Sequence, residues 1–349
     1  ATTDLWVYEK NKVNDNTDDW ELMPRKIQGV SRPSKRMYTA SAVLGHTLYL
    51  FGGLDPQTGK ELSDVYALSL KTNKWCLVQC WMPYLCSHHS ACQISDTSIA
   101  IHTGKVDNEI LVFVSDGRDW SVVRQPTTGE GPNQLQNCAC VSLTRSSMTT
   151  STIDSSDTDN DDNNDEDDDR DLAKDENGKA FVDPWAKSKA SSTDNYNDMF
   201  IFGGSSKDGG PSSSDAYVLD THTWEWRKLF VPTNEAGNPL KPCPPALVSP
   251  AAAAVGTNTC LIFGGGGTKS AQDAEDGILT PSNETWLLTI NGYSANWEQV
   301  AINEGPEGRI AASLTATSPT ELVLQGGYDP LTRKTFGGYG KTWLLTKYR

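Results

Sequence analysis

Four times this chain runs an apolar strand end into paired glycines: Tyr49-Leu50-Phe51-Gly52-Gly53, Phe200-Ile201-Phe202-Gly203-Gly204, Leu261-Ile262-Phe263-Gly264-Gly265 and Val323-Leu324-Gln325-Gly326-Gly327. Each pair is followed by a polar loop and then by a strand bearing Tyr or Trp, such as Asp64-Val65-Tyr66-Ala67-Leu68. A further Trp usually follows, as at Trp75. Self-similarity with a period of roughly 50 residues means that each repeat is one supersecondary unit, unable to bury its hydrophobic faces alone. Neighbouring units must therefore stack.

Residues 38–80 show the unit most plainly. Tyr38-Thr39-Ala40-Ser41-Ala42-Val43 is a small-residue strand suited to a crowded inner wall, and Thr47 to Phe51 is a second strand buried on both faces. Gly52 and Gly53 end it, because paired glycines allow positive φ and close backbone approach where inner strands converge. Ser63 to Leu70 alternates as a third strand, and Lys74-Trp75-Cys76-Leu77-Val78 is the outer fourth. The Tyr and Trp supply large flat surfaces that fill the widening gap between successive sheets.

On these residues the chain resembles the kelch-repeat family, whose fold is an all-β propeller with one four-stranded antiparallel blade per repeat. A second copy runs from His89-Ser90-Ala91-Cys92 through Ser98 to Gly104, Glu109 to Asp116 and Asp119 to Val123, with His102-Thr103 in place of the usual apolar residue and first glycine. The third uses Asn137 to Thr144, the Gly203-Gly204 strand, Asp215 to Asp220 and either Trp224 or Trp226. The fourth uses Pro250 to Val255, the Gly264-Gly265 strand, Glu284 to Leu288 and Trp297. At the start, Asp4 to Tyr8 and Asp19 to Leu22 read as third and fourth strands of a blade whose first two are missing. At the end, Ile310 to Thr317, Glu321 to Gly327 and Lys341 to Leu345 read as strands one to three of another. The count favours six blades with an incomplete first blade, and five is the alternative. Position 1 is Ala rather than Met, which fits a piece of a longer chain.

One segment breaks the pattern. Residues 146–197 hold 15 acidic and 5 basic residues, net −10 of the chain's −15. Such a block repels itself and has little to bury, so it is expected to be a disordered insertion between strands one and two of its blade. Asp157-Thr158-Asp159-Asn160-Asp161 resembles the start of a calcium loop but lacks the central glycine and closing Glu. A solvated spacer, or a dock for a basic partner, is the reading kept. By the order of the strands this insertion leaves on the end opposite the second-to-third and inter-blade loops, which form the ligand face in many proteins of the resembled family.

On that ligand face the chain places Arg36 and Arg309 in matching inter-blade loops, with Lys105, Tyr328 and Arg333 in second-to-third loops. Arginines and aromatics on a rigid scaffold suit an acidic or phosphorylated peptide. The competing reading is that Arg36 and Arg309 brace blades through salt bridges. Of the eight cysteines, Cys92, Cys138, Cys140 and Cys260 fall on inner-strand patterns, the set lacks the Cys-x-x-Cys spacing of a zinc site, and His88-His89 carries no metal pattern. No catalytic, metal or cofactor set is assigned, since the two His, two Tyr and cross-linkable Cys of a copper-radical centre do not converge here. No apolar run reaches the roughly 20 residues of a membrane helix, and no signal peptide is legible. The reading is therefore an intracellular, cytoplasmic scaffold or adaptor that binds a protein or peptide, and neither nucleic acid nor membrane. The alternative is an isomerase, hydrolase or oxidase that uses the central channel.

Overall fold

Short runs of β-branched and aromatic residues between glycine turns fold as antiparallel four-stranded sheets. The computed structural model describes residues 6–9, 19–22, 32–116, 119–144, 196–206, 212–268, 271–302, 305–318, 320–336 and 342–346. Blade 1 is Ala40–Leu44, Thr47–Leu54, Glu61–Ser69 and Lys74–Cys86. Blade 2 is Ser90–Gln93, Ser98–His102, Glu109–Ser115 and Trp120–Pro126. Blade 3 is Ala139–Thr144, Asn197–Phe202, Ala216–Asp220 and Glu225–Leu229, with Thr128–Gly129 added in parallel along its outer strand. Blade 4 is Ala251–Gly256, Thr259–Phe263, Thr285–Asn291 and Ser294–Gln299. Blade 5 has Ile310–Ser318, Glu321–Asp329 and Trp343–Thr346, with Lys334–Thr335 pairing the end of its second strand.

The result is a five-bladed β-propeller arrangement, the lower of the two counts weighed from sequence. Trp6–Glu9 and Asp19–Leu22 pair only with each other among the described residues, so the sixth blade is not assembled there. The one helix among the described residues, Ala271–Glu275, sits in the long connection of blade 4. The acidic insertion from 146 to 195 lies outside the described residues, as do Pro24-Arg25-Lys26 and Lys207-Asp208.

Three local differences from the sequence reading have simple causes. The outer strand of blade 1 does not stop at Val78 but continues to Cys86, because register shifts beside Asp64 let it follow the bulged third strand. It therefore carries Cys76, Cys80 and Cys86 on one strand. In blade 2, His102 takes the place of Phe51, pairing Ser90 as Phe51 pairs Ala40. It is buried, and its Nε2–H donates to the Leu135 carbonyl at 3.0 Å. In blade 3, Trp226 is the core residue at 4% exposure, whereas Trp224 holds the preceding turn at φ 58°.

The blades are joined along their inner edges by a feature that the glycine pattern does not reveal. His88 N–H donates to the Tyr38 carbonyl, Asn137 to His88, Ser249 to Asn137 and Ala311 to Ser249, at 2.7–3.0 Å. All five residues have left-handed backbones, with φ between 52° and 58°. An N–H and a C=O at the inner edge would otherwise face no partner, and the left-handed turn aims one at each neighbouring blade. His88, Asn137 and Ser249 stand just before the inner strands of their blades, and Ala311 is the second residue of its own. Apolar cores then fill the wedges between blades 1 and 2, 3 and 4, and 4 and 5.

The first glycines of three pairs, Gly52, Gly203 and Gly264, pack against the backbone carbonyl two residues before the next belt residue, whereas Gly326 has open space. At Gly203, φ is +71° and an added Cβ would lie 2.5 Å from the Leu247 carbonyl oxygen. At Gly237 φ is +79° with nothing within 4 Å. Gly237→Ala should therefore cost only the left-handed penalty, about 1 kcal/mol, and Gly203→Ala at least twice that in urea unfolding. Equal losses would remove close approach as the reason for the repeat.

His89 and His102 are both buried, and burial holds each imidazole down at about 4. Both ring nitrogens of His89 lack a hydrogen-bond partner. The native state keeps these rings neutral while the unfolded chain protonates near 6.5, so stability is complete above 6.5 and falls as pH drops towards 4. Each should cost about 2 kcal/mol by pH 5. A His89→Leu variant should show a flatter fall in urea midpoint between pH 7 and pH 5 than the parent.

Candidate functional site

The second-to-third and inter-blade connections gather at one end of the blades, because antiparallel order returns both there. The five residues expected to form a partner site are split by the fold into two groups. On blade 1, Arg36 Nη1 donates to the Gly52 carbonyl at 2.9 Å and to Asp64 Oδ1 at 2.7 Å, while Nη2 donates to Asp64 Oδ2 at 3.0 Å. Its guanidinium carbon lies 5.1 Å from the centre of the Tyr66 ring. Lys105 of blade 2 reaches across to Glu61 of blade 1 at 2.5 Å. On blade 5, Arg309 is 1% exposed, donates to the carbonyls of Glu307 and Gly326 at 3.0 Å each, and lies over the Phe336 ring. Tyr328 is half-buried in the second strand, paired with Ile310 and Thr335. Arg333 is exposed at the following turn. Arg36, Arg309 and Lys105 are thus engaged within the molecule: Arg36 forms a salt bridge within blade 1, whereas Arg309 binds backbone carbonyls and a ring.

These contacts expose a notch that recurs from blade to blade. Arg36 stands two residues before the belt residue Tyr38, and Arg309 two before Ala311; the same place holds Leu135 in blade 3. Register makes Asp215 and Tyr217 the blade 3 counterparts of Asp64 and Tyr66, since Phe51 pairs Val65 and Phe202 pairs Ala216. Blade 4 has Glu284 and Trp286, with Trp286 Nε1 donating to Glu284 at 3.1 Å. A carboxylate two residues before an aromatic thus opens the third strand of blades 1, 3 and 4. That spacing was visible in the sequence, where only the aromatic was given a role.

In blade 3 the notch is open. Asp107, Pro132, Asn133, Gln134, Leu135, Ser206, Ser213, Asp215 and Tyr217 line a cavity of about 370 Å³ between blades 2 and 3. A second concavity of about 410 Å³ adjoins it at Asp215, lined by Glu130, Lys228, Phe230 and Trp297 among others. The Tyr217 hydroxyl donates to Asp215 Oδ2 at 3.2 Å, and Lys228 approaches the same oxygen at 3.0 Å and Glu130 at 3.4 Å. Burial and then the Asp215 charge raise the Tyr217 hydroxyl, keeping it protonated as a donor. Burial works against the Lys228 ammonium, but Asp215 and Glu130 raise it above its usual value. Asp107 is exposed, with the Gln134 amide 3.5 Å away. The two concavities together are therefore lined by three carboxylates and one ammonium, with Asp215 and Glu130 paired to Lys228 and Asp107 on the side of Tyr217 and Leu135. No group of three or more metal-ligating side chains occurs among the described residues.

Arg36 and Asp64 have side chains 5% and 18% exposed, so removing the cation strands a largely desolvated carboxylate. Arg36→Ala should lower unfolding free energy by about 3 kcal/mol, against less than about 0.5 kcal/mol for Arg333→Ala at the surface. Thermal and urea unfolding of the two variants would show this, and similar losses would mean that the ion pair does not brace blade 1.

Kelch motif models match residues 35–80, which span blade 1 up to its outer strand, and residues 189–232, which include the second to outer strands of blade 3. Among solved structures, one described as the structure of YjhT superposes on 94% of this chain and 87% of its own, with a TM-score of 0.55 and 14% sequence identity. At that identity the likeness concerns the fold. The repeated motif, the blade order and the two matched models together support a kelch-repeat propeller.

Proposed function

We propose that this propeller is a protein-interaction module, a scaffold or adaptor whose working surface is the second-to-third and inter-blade loop face. The observation that carries this reading is a pair of open concavities meeting at Asp215, one between blades 2 and 3 that includes Tyr217 and one between blades 3 and 4 that includes Lys228 and Glu130. A solvent-open rim with an aromatic floor suits side chains of a partner. Chemistry on a substrate asks for a base, acid or nucleophile tuned near neutral pH. The perturbed groups described here are displaced the other way. Burial pushes the Cys80 thiol up to about 11 and those of Cys86 and Cys138 to about 12, holds the buried histidines neutral, and keeps Tyr217 protonated. These values speak against the isomerase, hydrolase or oxidase alternative.

The expected preference for an acidic or phosphorylated partner rested on cations that are mostly engaged internally. Arg333 remains exposed for that role, whereas the larger concavity presents Asp107, Glu130 and Asp215. A basic partner suits this part of the face better, and an intracellular, cytoplasmic setting is the one proposed.

The test is capture of partners from extract by the parent and two variants, with recovered proteins identified and mapped by cross-linking. Gln134→Trp, on the loop face, should remove specific partners at least tenfold. Lys71→Glu with His222→Glu, in third-to-fourth turns at the other end, should leave them unchanged. Capture that ignores the loop-face substitution, or cross-links confined to the other end, would overturn the assignment.

A further inference from the structure

The molecule contains its own model of what the blade 3 notch accepts. In blade 1 the space between the first glycine's carbonyl, the third-strand carboxylate and the aromatic ring is filled by Arg36, which binds Gly52, both oxygens of Asp64 and the face of Tyr66. In blade 5 the corresponding Arg309 binds the carbonyl of Gly326 and lies over Phe336. Blade 3 repeats the frame of blade 1, with Gly203, Asp215 and Tyr217, but its chain supplies Leu135 where the arginine stands. The place of the missing side chain is a cavity of about 370 Å³ rather than packed core.

We propose that this notch receives an arginine side chain presented by a partner peptide. This rests on the reading of the loop face as an interaction surface, and it names the residue that the surface selects. A guanidinium is planar, carries its donors in a fixed fork and stacks on aromatic faces, which matches a carboxylate beside a tyrosine ring better than a point-like ammonium does. Asp215 offers Oδ1 to such a fork, since Tyr217 and Lys228 both lie on Oδ2. Lys228 limits the attraction, since its ammonium holds part of the Asp215 charge and lies 5.8 Å from the centre of the Tyr217 ring, while exposed Asp107 on the facing wall adds a second carboxylate. The aliphatic part of the arriving side chain would lie against Leu135, as arginine stems cover apolar surface.

The experiment uses the whole chain and four pools of labelled nonapeptides, random except for a central arginine, lysine, citrulline or phosphoserine, read by fluorescence anisotropy. The arginine pool should bind at least tenfold more tightly than the citrulline pool and several-fold more tightly than the lysine pool. Asp215→Asn should weaken it about tenfold. Leu135→Arg supplies from within what blade 1 supplies with Arg36, so it should abolish peptide binding while leaving the melting temperature unchanged or higher. Asp107→Asn, at an exposed position, gives a milder loss that does not depend on how the notch refolds. Equal binding of arginine and citrulline pools, preference for phosphoserine, absence of binding by every pool, or binding that survives Leu135→Arg in a folded protein would each overturn the proposal. If partners captured from extract still depend on Gln134 while the arginine pool does not bind, the arginine assignment falls and the interaction face stands. Capture independent of Gln134 would instead remove the face itself.

Discussion

Everything else in this propeller depends on the belt of backbone hydrogen bonds along its inner edges. A blade narrows towards its first strand, where side chains have least room and the backbone of each sheet meets the next. Tyr38, His88, Asn137, Ser249 and Ala311 turn left-handed so that each N–H or C=O finds the neighbouring blade. For non-glycine residues that conformation costs about 1–2 kcal/mol each, and leaving the buried groups unpaired costs a comparable or larger amount. The paired glycines are the complement of this belt. Gly203 must lie within contact of the Leu247 carbonyl, two residues before the next belt residue, and a side chain there would hold the blades apart.

The belt also sets the frame in which the loops acquire chemistry. Because the residue two places before each link arrives at the same position over its own blade, one geometry is offered repeatedly with different occupants. Arg36 and Arg309 close it in blades 1 and 5, and Leu135 leaves it open in blade 3. A repeat protein can therefore make a binding site by omitting one structural side chain from one copy.

The repeat is legible in the sequence because the inner strands need small or apolar residues and glycine, and few alternatives satisfy that. Even the altered second copy keeps its blade, since His102 is neutral, buried and bonded to Leu135 in the place of an apolar residue. The outer strands are less legible. Their partners lie on one side only, so Lys74–Cys86 could run on past the expected end, and Trp226 rather than Trp224 became the core residue. The arginines were found at the right positions but assigned the wrong surroundings on the simplest reading, because the sequence does not say that Asp64 lies within reach of Arg36, 28 residues away.

By itself, the sequence determined the all-β repeat, the blade order and which loops share an end. These follow from periodicity and from the backbone freedom of glycine, which are local. Tertiary structure alone decided that five blades are assembled among the described residues, that Arg36 and Arg309 bind groups of their own blades, and that Asp215, Tyr217 and Asp107 border an open notch. Those outcomes depend on which side chain reaches which neighbour across a blade. Charge and aromaticity in a linear string do not reveal whether a partner is already in place.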